Sequence, residues 1–305
     1  MKNKQSIGHA AALLTIMIWG TTFISTKILL KDFQPVEILF IRFIIGFMAL
    51  LFVCPRRLYT TNRRQEAVLA LAGLSGICLY YLLENIALTY TMASNVGVII
   101  SVAPFFTAIL SHLFVKSEDK LRINFLIGFV VAMTGVALIS FGGRELALNP
   151  MCDLLAVLAA LVWACYSILT RKISSFGYSV ILTTRRTFFY GILWMLPALL
   201  FFDFQIDLSR FINMTTILNI LYLGFGASAL CFVTWNFAVK VLGAVKTSVY
   251  IYMVPVITIV TSVLILKEPL TWMSVIGTVL AVAGLFLSEY SGKRKKEDMQ
   301  NEFTE

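Results

Sequence analysis

Charged residues are scarce in this chain of 305 residues: Asp, Glu, Lys and Arg make up 13% of it, about half the share found in soluble domains. Hydrophobic residues make up 59%. A soluble globule of this length cannot bury so much apolar surface, whereas a lipid bilayer can cover it. The composition therefore excludes an ordinary soluble protein and predicts an integral membrane protein.

Common catalytic and metal-binding patterns are missing as well. The sequence has no G-x-x-x-x-G-K-[ST] phosphate loop, no H-E-x-x-H and no G-x-S-x-G, and none of its five cysteines forms a C-x-x-C pair. His112 stands alone near the end of an apolar run, which does not make a metal site. We therefore expect no enzyme, no cofactor and no metal, and we interpret the cysteines as small core residues.

Apolar runs fill the chain from end to end. A bilayer-crossing helix needs about 20 mostly apolar residues, and backbone groups in lipid must bond internally. Ten runs approach this length, and no polar stretch between them is long enough for a separate domain. The sequence predicts an all-α integral membrane protein with ten transmembrane helices, at 8–29, 35–53, 67–90, 94–115, 122–142, 152–172, 178–201, 214–239, 243–265 and 271–289.

Lys and Arg fall mostly in alternate loops. The N-terminus, every second loop and the tail carry seventeen of the 25, while the other loops carry five and the spans three. The net charge of +9 is spread along short loops, which excludes a nucleic-acid-binding face. Because short cytoplasmic loops are enriched in Lys and Arg, we predict a multi-pass protein of the cell membrane with both termini cytoplasmic.

The second half of the chain repeats the first. A shift of 151 residues places 73–116 on 224–267 without a gap, and shifts of 144 and 149 residues pair further positions. Coinciding Gly, Asn, Pro and Trp are harder to attribute to chance than coinciding aliphatic residues. The pairs include Asn85 with Asn236, Pro104 with Pro255, Trp19 with Trp163, Gly128 with Gly277 and Gly135 with Gly284.

Five helices is an odd number, so the second copy enters the membrane from the opposite side. We predict two five-helix inverted-topology repeats, at 1–145 and 146–291, followed by a basic tail at 292–305. The fifth helix of each repeat is expected at the periphery. Inverted repeats are typical of transporters, because rocking about a pseudo-symmetric site opens it to either side of the membrane.

Short motifs occur at matching places in the two halves. The first span contains Trp19-Gly20 and the sixth Trp163-Ala164, while the stretches 84–110 and 235–260 each contain a mid-helix proline. An acidic residue follows at the next loop, although Glu118 stands one residue further past its lysine than Glu268 does. With these motifs, nearly the whole chain resembles the EamA-type transporters of the drug/metabolite transporter superfamily.

The resemblance implies two EamA repeats and a central cavity lined by helices one, three, four, six, eight and nine. It also implies a secondary transporter that exports amino acids or related small metabolites by alternating access. Uptake or exchange of nucleotide-linked or drug-like compounds is an alternative, and a membrane receptor or an intramembrane enzyme is one from a different class. Expected partners are a small-molecule substrate and the lipid bilayer, with protons as a candidate coupling ion; the oligomeric state stays open.

Glu84 is the sharpest candidate for a functional residue. It lies inside the third span, where ionisable side chains are costly and usually face a bundle interior or a cavity. Helical spacing puts it on one face with Tyr80. Its functional roles are to bind a substrate ammonium or to carry a coupling proton, and its structural role is to pair with Arg42 or reach the membrane surface. The repeat places Trp235 at its counterpart position, so an ion site is not duplicated.

Further candidates for substrate binding are amide and aromatic side chains of the spans. A buried amide must hydrogen-bond, either to a neighbouring helix or to a ligand. Mid-span tryptophans, away from the interfaces where Trp is common, suit a cavity wall, so we expect Trp19 and Trp163 to border one central cavity near the membrane midplane. Each candidate also fits a plain packing role. Besides Glu84 they are Trp19, Tyr80, Asn85, Trp163, Tyr166, Asn236 and Tyr252.

Two prolines and two arginines complete the candidates. Pro104 and Pro255 each remove a helical hydrogen bond in mid-span, which predicts a bend that serves as a hinge or merely as shape. Arg42 and Arg186 lie about two turns inside their spans. They either anchor the two halves or meet a substrate carboxylate.

Overall fold

The structure is a computed structural model that describes residues 2–90, 93–115, 123–141, 150–202, 204, 208–266 and 272–290. Within these ranges the chain is helical almost throughout, and no strand occurs in them. The predicted basic tail at 292–305 lies outside the described residues, as do Glu118 and Glu268.

The first half of the chain forms five helical spans, two of which are interrupted. The third span contains a π-helical turn, and the fourth is broken after eight residues. In order, the elements are α1 (Lys2–Leu29), α2 (Pro35–Val53), α3 (Arg63–Gly73), the π-helical turn Leu74–Leu79, α4 (Tyr80–Tyr90), α5 (Ala93–Ile100), α6 (Ala103–Phe114) and α7 (Ile123–Phe141).

The second half has the same plan, with interruptions in its third and fourth spans. A short 3-10 turn, Leu208–Phe211, precedes the eighth span of the chain. The remaining elements are α8 (Pro150–Ser174), α9 (Val180–Phe201), α10 (Met214–Leu221), the π-helical turn Tyr222–Leu230, α11 (Cys231–Leu242), α12 (Ala244–Ser248), the 3-10 turn Val249–Met253, α13 (Val254–Leu266) and α14 (Trp272–Tyr290).

Length and composition show which helices suit a bilayer. Among the described residues, five helices are long and apolar enough to cross a membrane, and four shorter helices are also apolar. Together with α9 they form the ten spans, so the predicted all-α membrane architecture is confirmed. The five long ones are Lys4–Leu29, Pro35–Val53, Arg63–Tyr90, Leu154–Ser174 and Met214–Leu242, and the shorter ones Ala103–Phe114, Ile123–Gly135, Ala244–Thr258 and Val275–Ser288.

Local sequence signals fix several helix ends. Pro35 stands in the first turn of α2, where Glu37 accepts a hydrogen bond from the Gln34 backbone at 2.8 Å and completes a capping box. The Asn62 side chain caps α3 by accepting from the Arg64 backbone at 2.9 Å. Gly243 ends α11 with a φ of 93°, a conformation that glycine adopts without strain.

The backbone irregularities repeat along with the sequence. The π-helical turns of the third and eighth spans end at Leu79 and Leu230, two positions that the shift of 151 residues pairs. The regular helix of the fourth and ninth spans is interrupted just before Pro104 and Pro255, each of which lies in the first turn of the helix that follows. The two halves thus share helix interruptions as well as a sequence pattern, and the bend and hinge role of the prolines stay predictions.

The fifth and tenth spans, α7 and α14, pack chiefly against each other. Gly128 approaches Gly284, and Gly135 approaches Gly277; a Cβ added to Gly128 would lie 2.7 Å from the Gly284 carbonyl oxygen. The shift of 149 residues converts the first of these contacts into the second. Contacts that exchange in this way are the mark of a twofold axis, here passing between two antiparallel helices.

Packing between the halves follows the same symmetry. Gly73 of α3 faces Gly191 of α9, and Gly224 in the eighth span faces Ile45 of α2. The third span of each half thus packs on the second span of the other half. This arrangement brings the third and eighth spans to the interior, where the aromatic side chains lie.

Replacing Gly135 with alanine should destabilise the protein, because the added methyl group collides with the backbone of α14. Overpacking of this kind costs about 1–3 kcal/mol. Gly97 offers a matched control, since a Cβ there meets nothing within 4 Å and alanine is the better helix former. In thermal unfolding in detergent, Gly135→Ala should have a lower midpoint than the wild type, and Gly97→Ala should keep the wild-type midpoint. Equal midpoints for the two variants would contradict this packing.

Candidate functional site

Trp19 and Trp163 meet inside the bundle. Their ring centroids lie 5.1 Å apart in an edge-to-face arrangement, and their exposed fractions are 9% and 3%. The Trp19 indole donates a hydrogen bond to the Ala227 carbonyl oxygen at 2.9 Å, which fixes its orientation against the π-helical turn of the eighth span. Two residues that the repeat pairs are therefore in direct contact, on the interior side of their helices.

Further rings surround this pair and form what we name the aromatic cluster. Trp235 of α11 lies 5.2 Å from Trp19 and 5.9 Å from Trp163, and Tyr80 of α4 lies 4.8 Å from Trp163. The rings come from spans one, three, six and eight, in contact with one another. The cluster consists of Trp19, Tyr80, Tyr81, Trp163, Tyr166, Phe232 and Trp235.

Glu84 lies one helical turn beyond Tyr80 on α4 and is 4% exposed. Its Oε2 atom has no hydrogen-bond partner among the described residues. The side chain therefore faces the interior beside the aromatic cluster. Because it faces the interior, the side chain does not reach out to the membrane surface. Its role in binding a substrate or carrying a proton stays a prediction.

Arg42 lies beside the cluster from the side of α2. Its guanidinium carbon is 4.5 Å from the centroid of the Tyr81 ring, a cation–π geometry, and its Nε donates to the Ser228 hydroxyl at 3.0 Å. The side chain is 2% exposed, and Nη2 has no partner in the described part of the chain. Arg42 does not form an ion pair with Glu84 within 4 Å, so the structural pairing considered for these two residues is not present.

The repeat counterpart of Arg42 has a different environment. Arg186 forms an ion pair with Glu66 at 2.5 Å, and both side chains are partly exposed. Glu66 belongs to the first half of the chain and Arg186 to the second. Arg186 thus joins the two halves away from the cluster, which is the anchoring role considered for it.

Asn85 and Asn236, the two asparagines that the repeat pairs, also have different environments. Asn236 accepts a hydrogen bond from the Tyr166 hydroxyl at 2.9 Å and donates to Thr184 at 2.9 Å, so it connects α8, α9 and α11. Asn85 donates to the Pro35 carbonyl oxygen at 3.2 Å, and its Oδ1 has no partner among the described residues. Both amides bridge helices, and only Asn236 reaches a ring of the cluster.

Tyr252 does not join the aromatic cluster. It lies in the 3-10 turn of the ninth span and packs in a second buried cluster with Phe125 and Ala132 of α7. Its hydroxyl has no partner among the described residues. Tyr252 thus lies apart from the other candidate residues, and its substrate-binding role stays a prediction.

A small pocket of about 20 Å³ opens beside the cluster, toward the end of the bundle that carries the loops 54–62 and 175–179. Asn236 lies in its wall, and Asn236 in turn bonds Tyr166, which stacks 5.1 Å from Trp163. The pocket therefore connects to the cluster through these two residues. Its other lining residues are mostly polar: Thr170, Ile173, Ser174, Tyr178, Val180, Thr183, Thr187 and Lys240.

Contacts between the halves lie at the opposite end of the described bundle. Arg210 forms an ion pair with Glu37 at 3.0 Å and also donates to the Asp32 carbonyl oxygen at 3.1 Å. Within the first half, Lys27 donates to the Leu88 carbonyl oxygen at 2.7 Å. The aromatic cluster thus lies between the pocket on one side and these contacts on the other.

Sequence reasoning missed part of this site. Arg42 was considered as a partner of Glu84, as an anchor of the halves or as a partner of a substrate carboxylate, and Trp235 only as the counterpart of Glu84. Tyr81 and Phe232 were not among the substrate-binding candidates. A usable signal existed for Tyr81, because it precedes Glu84 by three residues and so lies near the same helix face. Phe232 carries no polar atom, so its place in the cluster depends on tertiary packing alone.

Known proteins resemble the chain along its whole length. The sequence pattern of the EamA-like transporter family matches residues 6–141 and again 150–290. An uncharacterized transporter of Archaeoglobus fulgidus is 29% identical over 92% of this chain and 96% of its own length. A probable amino-acid metabolite efflux pump of Escherichia coli is 26% identical over 93% and 95%. A probable terminal-alkyne amino-acid exporter of Streptantibioticus cattleyicolor is 23% identical over 91% of each chain.

A solved crystal structure shows the same fold. It superposes with a TM-score of 0.76 at 19% identity, covering 96% of this chain and 99% of the other. The family pattern occurs twice and covers most of the chain, in agreement with the repeat seen in the sequence and the backbone. The protein is a multi-pass membrane transporter of a small-molecule substrate, and it belongs to the EamA-like transporter family.

Proposed function

We propose that this protein is a secondary transporter of the cell membrane that exports amino acids or related small metabolites by alternating access. The observation that carries the proposal is the aromatic cluster on the contact between the two repeats, with a buried carboxylate and a buried guanidinium at its edge. Intramembrane ionisable residues facing a bundle interior are typical of substrate and ion pathways. Two of the relatives are named as amino-acid exporters, which supports the substrate class.

The arrangement of the two ends supports alternating access. The pocket lies on one side of the aromatic cluster, and the Glu37–Arg210 pair lies on the other side. In inverted repeats, rocking of one half against the other opens each end in turn. The loops on the pocket side belong to the Lys- and Arg-rich set, so in this proposal the pocket and both termini face the cytoplasm. We place the boundary between the two repeats near residue 145 of the sequence.

Export also requires a substrate path through the closed cluster. Trp19, Trp163, Tyr80, Glu84, Tyr166 and Asn236 are proposed as its walls, since they run without a gap from the pocket to the buried charges. Asn85 and Tyr252 lie off this path, and their proposed substrate contacts require movement of the third and ninth spans. Protons are the proposed coupling ion.

Nucleotide-linked compounds are the less favoured cargo. Phosphate groups are bound through several cations or helix N-termini. Among the described residues, Arg42 is the cation at the aromatic cluster, and it already bonds Ser228. The experiment that tests the substrate class also tests the alternatives of a receptor or an intramembrane enzyme, because neither of these moves a solute across the membrane.

Purified protein in proteoliposomes should move at least one member of a radiolabelled amino-acid panel without ATP. Flux driven by an imposed pH gradient should exceed flux without it if protons are coupled, while counterflow needs no gradient. Protein-free liposomes are the control. The absence of flux for the whole panel, in protein that unfolds cooperatively, would reject amino-acid transport.

The two backbone breaks should matter for turnover. Pro104→Ala and Pro255→Ala each supply the missing backbone N–H and favour a continuous helix, so each should lower maximal flux several-fold while the half-saturating substrate concentration stays nearly constant. Pro197→Ala is the matched control, because Pro197 lies inside α9 on an exposed surface. Wild-type flux in both Pro104→Ala and Pro255→Ala would assign these prolines to shape alone.

A further inference from the structure

Two buried side chains of opposite charge keep one unpartnered polar atom each. Arg42 is 2% exposed and Glu84 is 4% exposed. The Nη2 atom of Arg42 and the Oε2 atom of Glu84 have no hydrogen-bond partner among the described residues, and the two side chains do not pair with each other. Burial of charge without a partner is costly, so each atom is expected to meet a ligand group in the working protein.

The two unpartnered atoms belong to one locality. Arg42 stacks 4.5 Å from the centroid of the Tyr81 ring. Tyr81 precedes Glu84 by three residues on α4, which corresponds to a rise of about 4.5 Å along the helix. The Tyr80 ring, one helical turn before Glu84, lies 4.7 Å from the Tyr81 ring.

The groups around these charges favour a particular ligand shape. The indole N–H groups of Trp163 and Trp235 also lack an acceptor among the described residues. Near the cluster, unpartnered hydrogen-bond donors are therefore more numerous than the single unpartnered acceptor of Glu84. Donors clustered with a guanidinium suit a carboxylate, and a carboxylate beside aromatic faces suits an ammonium group. The charged pair comes from the first repeat, while the second repeat supplies four rings of the cluster, Trp163, Tyr166, Phe232 and Trp235. A matching ligand is therefore charged at one end and apolar at the other.

We infer that Arg42 and Glu84 form a two-point site for the zwitterionic head of an α-amino acid. Arg42 donates from Nη2 to the substrate carboxylate, and Glu84 accepts from the substrate ammonium at Oε2. The rings of the second repeat contact the substrate side chain. This inference rests on the proposed transport of amino acids and narrows it, because an amine without a carboxylate or an acid without an ammonium leaves one buried charge unpaired.

The first test uses the wild-type protein alone. The amino acid with the highest flux in the panel is compared with its decarboxylated and deaminated analogues; for L-leucine these are isopentylamine and 4-methylpentanoate. Displacement of the radiolabelled amino acid from purified protein gives the three affinities. Both analogues should bind about 10-fold to 100-fold more weakly, the range expected when one charged hydrogen bond is lost. An analogue that binds as tightly as the amino acid would overturn the two-point site.

The second test assigns each charge to its partner. In Glu84→Gln the amino acid should lose its advantage over the deaminated acid and keep its advantage over the amine. In Arg42→Gln the opposite pattern is expected. Arg186→Gln is the control, because Arg186 is the repeat counterpart of Arg42 and pairs with Glu66 away from the cluster; its pattern should match the wild type. Arg42→Lys keeps the charge and should retain part of the advantage over the amine.

The outcomes separate this inference from the proposed function. If the wild type moves amino acids but Glu84→Gln and Arg42→Gln keep the wild-type order of affinities, the two-point site is wrong and amino-acid transport stands. If Glu84→Gln loses only flux driven by a pH gradient and keeps amino-acid affinity and counterflow, Glu84 carries a proton and the site is again wrong. If the wild type neither binds nor moves any amino acid, the proposed function fails and the site with it.

Discussion

The edge-to-face contact between Trp19 and Trp163 fixes the relation between the two halves of this transporter. These residues are repeat counterparts, and a residue touches its own counterpart only where it lies close to the symmetry axis. The glycine contacts between α7 and α14 exchange under the same symmetry and mark a second place on that axis. Between these two places, the third span of each half packs on the second span of the other. The π-helical turns and the proline breaks recur at matching places on both sides of this axis.

Sequence divergence breaks the symmetry where it matters for binding. A strict twofold site would place two carboxylates or none near the axis, whereas this chain has Glu84 on one side and Trp235 at the matching position on the other. Arg42 likewise stays at the cluster, while Arg186 moves its charge to Glu66. The backbone therefore keeps the inverted-repeat geometry in both halves, while both buried charges at the cluster come from the first half. Such an interior suits the asymmetric ligand of the proposed two-point site.

The sequence predicted the membrane fold well because hydropathy reports directly on contact with lipid. The ten spans agree with the helices within a few residues, and Asn85, Asn236, Pro104 and Pro255 revealed the repeat because polar and proline residues are rare inside spans. The site was predicted less completely. Tyr252 was grouped with the other candidates, but the 3-10 turn that carries it packs against α7, away from the aromatic cluster. Trp235 and Arg42 reach the cluster by packing between different spans, which spacing within one span does not reveal.

Ion pairs between the halves lie at both ends of the bundle and differ in how far water reaches them. Glu66 pairs with Arg186 toward the pocket end, where Arg185 also donates across the two halves, and Glu37 pairs with Arg210 at the other end. Glu66 and Arg186 are 24% and 36% exposed, so their pair contributes only about 0–1 kcal/mol, because water competes for both partners. Arg210 is 21% exposed but Glu37 only 1%, so the second pair is largely shielded from water and is more costly to break. In the proposed alternating access, the buried rings near the axis keep their contacts through a small rotation, whereas the contacts at the ends break and form. Of the two ion pairs, Glu37–Arg210 is then the one that resists this change more strongly.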